Sequence, residues 1–302
     1  MNRRYSNYQL HAKIDDMGRL INLDKYINGE KNSLQEIKSY YKINKWAYTH
    51  FHSQDGFMHF RISRNGTYSD EDVYYQPDTV AKYIKDDDNV LELGFGNGSN
   101  LLYLAHSFPT ARFTGKDLQR LERADIPSNV STIEGDYSDL SQIGDNSMDV
   151  AFAFETVVHN ADKEKIYREV YRVLKPGGVM IIYDYALSAP FNTFDAHTQK
   201  AIALISKGCA SAMIESLEEL NSHYTNSGFV IESNTDFSDE TLPDLRRLER
   251  KGAKIITRPW AARLMFNLLP EQFVTNIIVG YLGYDSCKSG VITYQEWILR
   301  KN

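Results

Sequence analysis

The sequence predicts an α/β fold built on a mostly parallel, doubly wound sheet. From Asn89 to Tyr185, short apolar runs alternate with helical patterns, which is typical of βαβ units. Strands that alternate with helices imply a parallel sheet that helices cover on both faces. With 302 residues, the chain is long enough for one large α/β domain with helical additions.

The predicted elements follow in order along the chain. Residues 1–50 have amphipathic helical spacing, and residues 51–76 are irregular and rich in Gly, Ser, Asp and Asn. The predicted strands are NVLELG, ARFTGKD, VSTIEGD, MDVAFAFE and VMIIYDY, followed by GFVIESN as a sixth strand and VITYQEWILRK as a terminal one. The predicted helix DTVAKYIK precedes the first strand, and the predicted helices between the strands include NLLYLAHSF and DKEKIYREVYRVL, the last of which ends at the stop signal KPGG.

Helical additions extend this predicted sheet domain. Residues 1–76 form an aromatic-rich N-terminal cap, and residues 77–302 form the sheet domain with helical insertions at about 186–224 and 236–290. The last two strands lie about 60 residues apart, far beyond the usual connection length, so the second insertion is a lid or a dimer element. We expect the cap and both insertions to cover the carboxyl ends of the strands and to enclose a substrate.

Composition excludes several classes of protein. The net charge is −6 and neither half of the chain is strongly basic, which argues against a nucleic-acid partner. Cys209 and Cys287 provide neither a disulfide framework nor zinc spacing, and the scattered histidines form no clean ligand set, so we expect no metal. The N-terminus lacks a signal-peptide core and no run approaches ~20 apolar residues, so we expect a cytoplasmic protein without a membrane span.

The stretch VLELGFGNGSN places a glycine-rich turn between a strand and a helix. Its glycines, Gly94, Gly96 and Gly98, follow the spacing G-x-G-x-G. The dinucleotide fingerprint G-x-G-x-x-G requires its third glycine where this chain has Ser99, and no Gly-Lys-Ser/Thr follows to make a P-loop. The turn therefore favours a nucleotide-like ligand that lacks a pyrophosphate.

Two acids end the next two predicted strands. Because ligands bind beyond the carboxyl ends of parallel strands, Asp117 and Asp136 both reach this crevice. Asp117 can accept both hydrogen bonds of a ribose diol, while Asp136 can accept one from an adenine amine, with Tyr137 against the base. Two carboxylates suit a neutral or cationic nucleoside and would repel a pyrophosphate.

The chain resembles the class I S-adenosylmethionine-dependent methyltransferases in four motifs that occur in this order: VLELGFGNG, TGKD, IEGD and YRVLKPGGVMIIYDY. The resemblance covers residues 78–185 well and the C-terminal end loosely. The resemblance implies a seven-stranded sheet with an antiparallel final hairpin, and S-adenosylmethionine as the cofactor, with S-adenosylhomocysteine as its product. It also implies that the glycines let the methionine portion approach closely. The cofactor-binding residues that it implies are Gly94, Gly96, Asn97, Gly98, Asp117, Leu118, Asp136, Tyr137 and Phe154.

Motifs outside the cofactor region resemble the sterol side-chain and terpenoid C-methyltransferases. These are YYKINKWAYTHF and GFMHF, FETVVHNADKEKIYREVYRVLKPGG, and GVITYQEWILRK. This resemblance implies a catalytic pair, Glu155 at the end of the fourth strand and His159 four positions later. The substrate-binding residues that it implies are Tyr40, Tyr41, Trp46, Tyr48, His59, Phe60 and Tyr185. The chain departs from the family at Phe95, where a small residue is usual, and at Ser99 and Asn100, where the family has two glycines.

The resulting hypothesis is C-methylation of a lipophilic, isoprenoid-like small molecule. Aromatic side chains would stabilise a carbocation, and Glu155 would remove a proton with His159 as its partner or relay. Burial among Phe and Tyr should raise the pKa of Glu155. O- or N-methylation of a small metabolite remains open, as does a non-catalytic cofactor-binding or assembly protein. Glu155 as an anchor for the cofactor's ammonium and His159 as a support for its loop also remain open.

Overall fold

The structure is a computed structural model that describes residues 7–27, 56–211 and 213–302. The strands are β1 (Asn89–Leu93), β2 (Arg112–Asp117), β3 (Val130–Glu134), β4 (Met148–Phe154), β5 (Leu174–Leu187), β6 (Val230–Asp236) and β7 (Ile292–Arg300). The helices are α1 (Tyr8–Leu20), α2 (Leu23–Ile27), α3 (Tyr75–Ala81), α4 (Ser99–Ser107), α5 (Lys163–Val173), α6 (Ala196–Gly208), α7 (Leu217–Asn226), α8 (Ser238–Ile256), α9 (Pro259–Leu268) and α10 (Glu271–Lys288). Short 3₁₀ turns lie at Asp70–Tyr74, Val157–His159 and Phe191–Thr193.

The strands form one seven-stranded sheet in the order β3-β2-β1-β4-β5-β7-β6. The pairs β1–β2, β1–β4, β2–β3 and β4–β5 are parallel, whereas β7 is antiparallel to both β5 and β6. The predicted fold class, including the antiparallel final hairpin, is confirmed. The chain order reverses between β1 and β4, and open α/β sheets form their ligand crevice at such a switch point.

Strand β5 is longer than the predicted run VMIIYDY. Helix α5 ends at Val173, close to the predicted stop, but the next residue already pairs with the sheet through Leu174 and Met148. The KPGG segment is therefore strand rather than loop. The backbone N–H of Gly177 donates to the carbonyl of Lys301 at 2.7 Å, and this contact to the chain end holds the segment in the sheet.

Helix α7 packs on the sheet rather than over its carboxyl edge. The ring centroid of Tyr224 lies 4.7 Å from that of Tyr167 and 5.5 Å from that of Trp297. The indole Nε1 of Trp297 donates to Oδ1 of Asn221 at 3.0 Å. The prediction that all of residues 186–224 cover the carboxyl ends is therefore wrong for α7, because its apolar residues face strands β5 and β7 and helix α5.

Helix α10 packs against both α6 and α8, and α1 and α2 join these helices in one apolar cluster. The Nζ of Lys13 in α1 lies 2.9 Å from Oε1 of Glu249 in α8 and 2.6 Å from Oδ2 of Asp285 in α10. This partly buried cation links three helices of the cap. None of the described helices combines the length and the apolar character that crossing a bilayer requires.

The buried Trp297 offers a test of this packing. It is 0% exposed at the centre of β7, so Trp297→Ala should lower the free energy of unfolding by about 3–5 kcal/mol, the usual cost of deleting a buried indole. Trp260 is 72% exposed on α9, so Trp260→Ala should change that free energy by less than about 0.5 kcal/mol. Urea unfolding of both variants measures the difference, and equal losses would contradict the packing.

Candidate functional site

The glycine-rich turn leads from β1 into α4. Gly94 has φ +66° and Gly98 has φ +81°, a left-handed conformation that favours glycine. A Cβ at Gly94 would lie 2.2 Å from Cγ2 of Thr156, and one at Gly98 would lie 2.6 Å from Cδ1 of Leu121. The backbone conformation and these protein side chains therefore require both glycines. This reason differs from the predicted one, in which the ligand itself demanded their small size.

Asp117 ties the turn to the end of β2. Its Oδ2 accepts a hydrogen bond from the backbone N–H of Gly96, and its Oδ1 accepts one from that of Gln119, both at 2.8 Å. A carboxylate oxygen has two acceptor lone pairs and can accept more than one hydrogen bond. These contacts fix the side chain in place at the end of β2.

Beneath the turn lies a buried polar chain that the sequence did not indicate. Oε1 of Glu92 in β1 accepts a weak hydrogen bond of 3.5 Å from Nδ2 of Asn100. Oδ1 of the same asparagine lies 3.0 Å from Nε2 of His59. Burial raises the pKa of Glu92 to about 8 and lowers that of His59 to about 4. His59, predicted to bind substrate, supports the turn through Asn100 and also lies in the wall of the cavity beside the turn. Because the family usually has glycine at position 100, the resemblance did not indicate the contact between Asn100 and His59.

Glu155 follows β4 and is held by three neutral donors. Its Oε1 accepts from the backbone N–H of Phe60 at 2.6 Å and from the hydroxyl of Tyr294 at 2.9 Å. Its Oε2 accepts from the hydroxyl of Tyr185 at 2.6 Å. Burial raises the pKa of Glu155 to about 8 although all three hydrogen bonds favour the charged form. The expected rise in this pKa is therefore confirmed.

Tyr294 is a site residue that sequence reasoning missed. It lies directly opposite Tyr185 in the β5–β7 ladder, so the two hydroxyls reach one carboxylate from adjacent strands. Because β7 runs antiparallel, its first residues lie at the same sheet edge as the carboxyl ends of the parallel strands. An antiparallel final strand, as the sequence predicts, is the signal that places the start of β7 at this edge.

His159 lies at the end of the 3₁₀ turn after β4. Its Nδ1 donates to the carbonyl of Ala210 at 3.3 Å, which connects this turn to the segment that follows α6. Burial lowers the pKa of His159 to about 4, so the imidazole is neutral at physiological pH. The sequence left two roles open for His159, a partner of Glu155 and a support for its own loop. These contacts agree with the second role.

A cavity of about 300 Å³, the polar cavity, opens beside the glycine turn. Three acidic side chains line it, Asp117, Asp136 and the buried Glu155, and the described part of its wall includes no lysine or arginine. A site with this charge attracts a cationic ligand and repels a pyrophosphate. The predicted residues in its wall are Gly94, Gly96, Asn97, Asp117, Leu118, Asp136, Tyr137, Phe154, Glu155, His159, His59 and Tyr185. Gly98 lies outside this wall and contacts Leu121.

Two of these residues are fixed by hydrogen bonds of their own. The hydroxyl of Tyr137 donates to the carbonyl of Thr156 at 2.9 Å, so its ring is immobilised at the cavity wall. The side-chain amide of Asn97 donates to the carbonyl of Gly56, which joins the turn to the segment before the sheet. These hydrogen bonds hold two parts of the polar cavity wall in place.

A second cavity of about 280 Å³, the apolar cavity, lies under α6, α8 and α10. Its wall is mainly aliphatic and aromatic and includes Phe60, Ile205, Leu245, Leu248, Ile255, Phe273, Ile277 and Ile292. Met58, Glu155, Tyr185 and Cys209 line both cavities, so the carboxylate of Glu155 lies at their boundary. The predicted substrate residues Tyr40, Tyr41, Trp46 and Tyr48 fall outside the described residues.

Comparison with known proteins agrees with this geometry. Residues 91–182 match the family model for a methyltransferase domain. This part of the chain is a methyltransferase domain. The match confirms the resemblance that the glycine turn and the strand-end acids indicated. Within the described residues, no group of three His, Cys, Asp or Glu side chains is arranged to hold a metal ion.

The curated relatives of this segment include several sterol 24-C-methyltransferases and a 27-O-demethylrifamycin SV methyltransferase. The sterol 24-C-methyltransferase of Aspergillus fumigatus is 27% identical over 188 residues, which cover 59% of this chain and 49% of that protein. The chain thus spans about half the length of the curated relatives it matches first.

Solved structures share the fold of the methyltransferase domain. A cyclopropane synthase of Mycobacterium tuberculosis has a TM-score of 0.72 at 12% identity, covering 91% of this chain and 100% of that one. A geranyl diphosphate C-methyltransferase of Streptomyces coelicolor, solved with S-adenosyl-L-homocysteine, has a TM-score of 0.61 at 15% identity, covering 87% and 98%. Together with the family match, these findings support the predicted enzyme class and its cofactor, S-adenosylmethionine.

Asp117 gives a direct test of the polar cavity. Asp117→Ala removes a fixed carboxylate, so S-adenosylmethionine should bind more weakly by about 1.5–3 kcal/mol, the value of hydrogen bonds to a charged group. Asp139→Ala is the matched control, because Asp139 also accepts a backbone N–H, from Ser141 at 3.0 Å, but is not in the polar cavity wall. Calorimetry that finds equal affinities for the two variants would refute the assignment.

Proposed function

We propose that this chain is an S-adenosylmethionine-dependent methyltransferase that methylates carbon in a lipophilic small molecule, an isoprenoid, terpenoid or related natural product. One observation carries this proposal: Glu155 lies at the boundary between a cavity suited to a cationic nucleoside and a cavity suited to an apolar molecule. A group in that position can touch both a cofactor and its substrate.

The residues of the polar cavity fit the cofactor. Asp117 would accept the ribose hydroxyls and Asp136 the adenine amine, while Tyr137 and Leu118 would contact the base. When bound, S-adenosylmethionine supplies an already activated methyl group on a positively charged sulfur. The carboxylates of Asp117 and Asp136 in the wall are opposite in charge to that sulfur, and the hydrogen bonds that hold the turn limit the entropy lost on binding.

The apolar cavity supports an apolar acceptor. A buried polar substrate would lose its hydrogen bonds to water and find few replacements in this wall, which costs roughly 1–3 kcal/mol for each unpaired group. The polar side chains that the wall does offer include Lys251 and Asn276 between α8 and α10. The names of the C-methyltransferase relatives and neighbours also support carbon as the accepting atom.

The surroundings of Glu155 suit a reaction that passes through a cation. The rings of Phe60, Tyr185 and Tyr294 form a triangle beside the carboxylate, with centroid separations of 5.9 to 6.1 Å. Aromatic faces stabilise a desolvated cation by about 2 kcal/mol or more. Methyl addition to an alkene leaves a carbocation, and Glu155 can accept the proton whose loss restores the double bond.

The base role makes Glu155 the residue to test first. Glu155→Gln keeps the shape but cannot accept the proton, so kcat should fall by ~100-fold or more while cofactor affinity changes little. Because a base works only when ionised, kcat of the parent should rise as pH increases through the pKa of Glu155. The pH profile of the variant should lack this rising limb. Full activity with an unchanged pH profile would remove Glu155 from the chemistry.

Tyr294 provides a second test of the pH dependence of kcat. Its hydroxyl stabilises the charged form of Glu155, so Tyr294→Phe should raise that pKa and shift the rising limb of kcat to higher pH. Tyr103→Phe is a control, because its hydroxyl instead bonds Asp78 on the surface. If kcat of Tyr294→Phe rises at the same pH as that of the parent, the result would contradict the hydrogen-bond geometry.

The apolar cavity can be tested by filling it. Ile277→Trp should occupy much of the space and raise KM for a large apolar acceptor by about tenfold or more, while S-adenosylmethionine binds as before. Ile277→Val is the conservative control. The acceptor itself can be found by incubating the protein with isotopically labelled S-adenosylmethionine and separate lipophilic and polar metabolite pools. Label that enters only oxygen or nitrogen of polar metabolites would refute the proposed substrate class.

A further inference from the structure

Helix α9 presents an apolar face to solvent. Trp260, Leu264 and Leu268 are 72%, 54% and 74% exposed, and their spacing of four residues places them along one side of the helix. Ala262 and Phe266 on the other side are buried in the cluster formed with α6, α8 and α10. The helix is therefore anchored on its inner face, while a tryptophan and two leucines remain outside.

The chain segment that carries this face has only positive charges. Between Lys254 and Leu268 the chain has three cations, Lys254, Arg258 and Arg263, and no acid, although the whole chain carries a net charge of −6. All three cations are exposed, and Arg263 precedes Leu264 on the exposed side of the helix. An apolar strip with basic residues beside it complements a surface that is apolar inside and anionic outside.

The position of α9 relates this face to the apolar cavity. Helix α9 connects α8 to α10, and the cavity wall includes Ile255 in the last turn of α8 and Phe273 in the first turn of α10. The inner residues of α9 belong to the same apolar cluster as the cavity residues Ile205 and Ile292. The exposed strip thus lies on the element that joins two walls of the apolar cavity.

We propose that α9 docks the protein on an anionic lipid bilayer, with Trp260, Leu264 and Leu268 inserted at the interface and the basic residues against the lipid headgroups. Ten residues span about 15 Å, so the helix would lie in the plane of the interface rather than cross the membrane. This docking surface is separate from methyl transfer and goes beyond the proposed function.

A second copy of this chain fits the face less well. A symmetric dimer would bring the basic residues of both copies towards each other without an acid between Lys254 and Leu268 to balance them. Three exposed side chains also present far less than the roughly 800 Å² per partner of a standard interface. The charge and the size of the strip therefore favour lipid.

Vesicle sedimentation of the full chain tests the proposal. Vesicles of phosphatidylcholine with phosphatidylglycerol should bind the protein at low salt, and pure phosphatidylcholine vesicles should bind it markedly less. Trp260→Ser/Leu264→Ser/Leu268→Ser should reduce vesicle binding by at least tenfold, because three inserted apolar side chains are lost. Arg263→Gln should reduce it by about fivefold, and high salt should remove that difference.

The control replaces exposed apolar residues elsewhere. Ile126→Ser/Val230→Ser changes side chains that are 41% and 46% exposed outside α9, and it should bind vesicles like the parent protein. Circular dichroism and thermal unfolding check that the variants fold. Failure of the parent to bind anionic vesicles would overturn the proposal. So would equal binding by the triple variant, or analytical ultracentrifugation in which the parent dimerises and the triple variant is monomeric.

Discussion

The carboxylate of Glu155 sits among neutral hydrogen-bond donors where a polar and an apolar cavity meet, and much of the chain serves to place it there. Its own backbone has φ +50°, a conformation that usually costs a non-glycine residue on the order of 1–3 kcal/mol. Two tyrosines from adjacent strands and one backbone N–H from the N-terminal segment converge on its two oxygens. This convergence offsets part of the cost of burying an acid, whereas the burial itself keeps the pKa of Glu155 raised.

The polar cavity is formed mainly at the edge of the sheet, and the apolar cavity mainly by helices. Loops after β1 to β4 bring carboxylates and backbone amides to the polar cavity, whereas α6, α8 and α10 supply the aliphatic wall of the apolar one. Lys13 links α1 to two of these helices through buried acids, so the described part of the N-terminal segment belongs to the cap. A charged ligand and an apolar one can thus meet at Glu155 without sharing a solvent-filled space.

Sequence patterns predicted the sheet and the positions of Asp117, Asp136 and Glu155, because strand periodicity fixes which residues reach the carboxyl edge. They failed where the outcome depends on contacts between distant segments. Nothing local in the sequence indicates that His59 supports the turn through Asn100, or that α7 covers the sheet. Tyr294 also depends on a long-range register, its pairing with Tyr185. The glycines were recognised correctly, but their reason is a positive φ packed against Thr156 and Leu121.

The most direct measurement is a ¹³C-NMR titration of the Glu155 carboxyl in protein labelled at its glutamate side chains, with the Glu155→Gln spectrum as the assignment. Without cofactor, the group should titrate near pH 8, because burial outweighs its three hydrogen bonds. Saturating S-adenosylmethionine should lower this pKa, since a nearby positive charge favours the carboxylate. A Glu155 pKa close to the ordinary value of 4.3, unchanged by the cofactor, would contradict the placement of this carboxylate at the boundary between the two cavities.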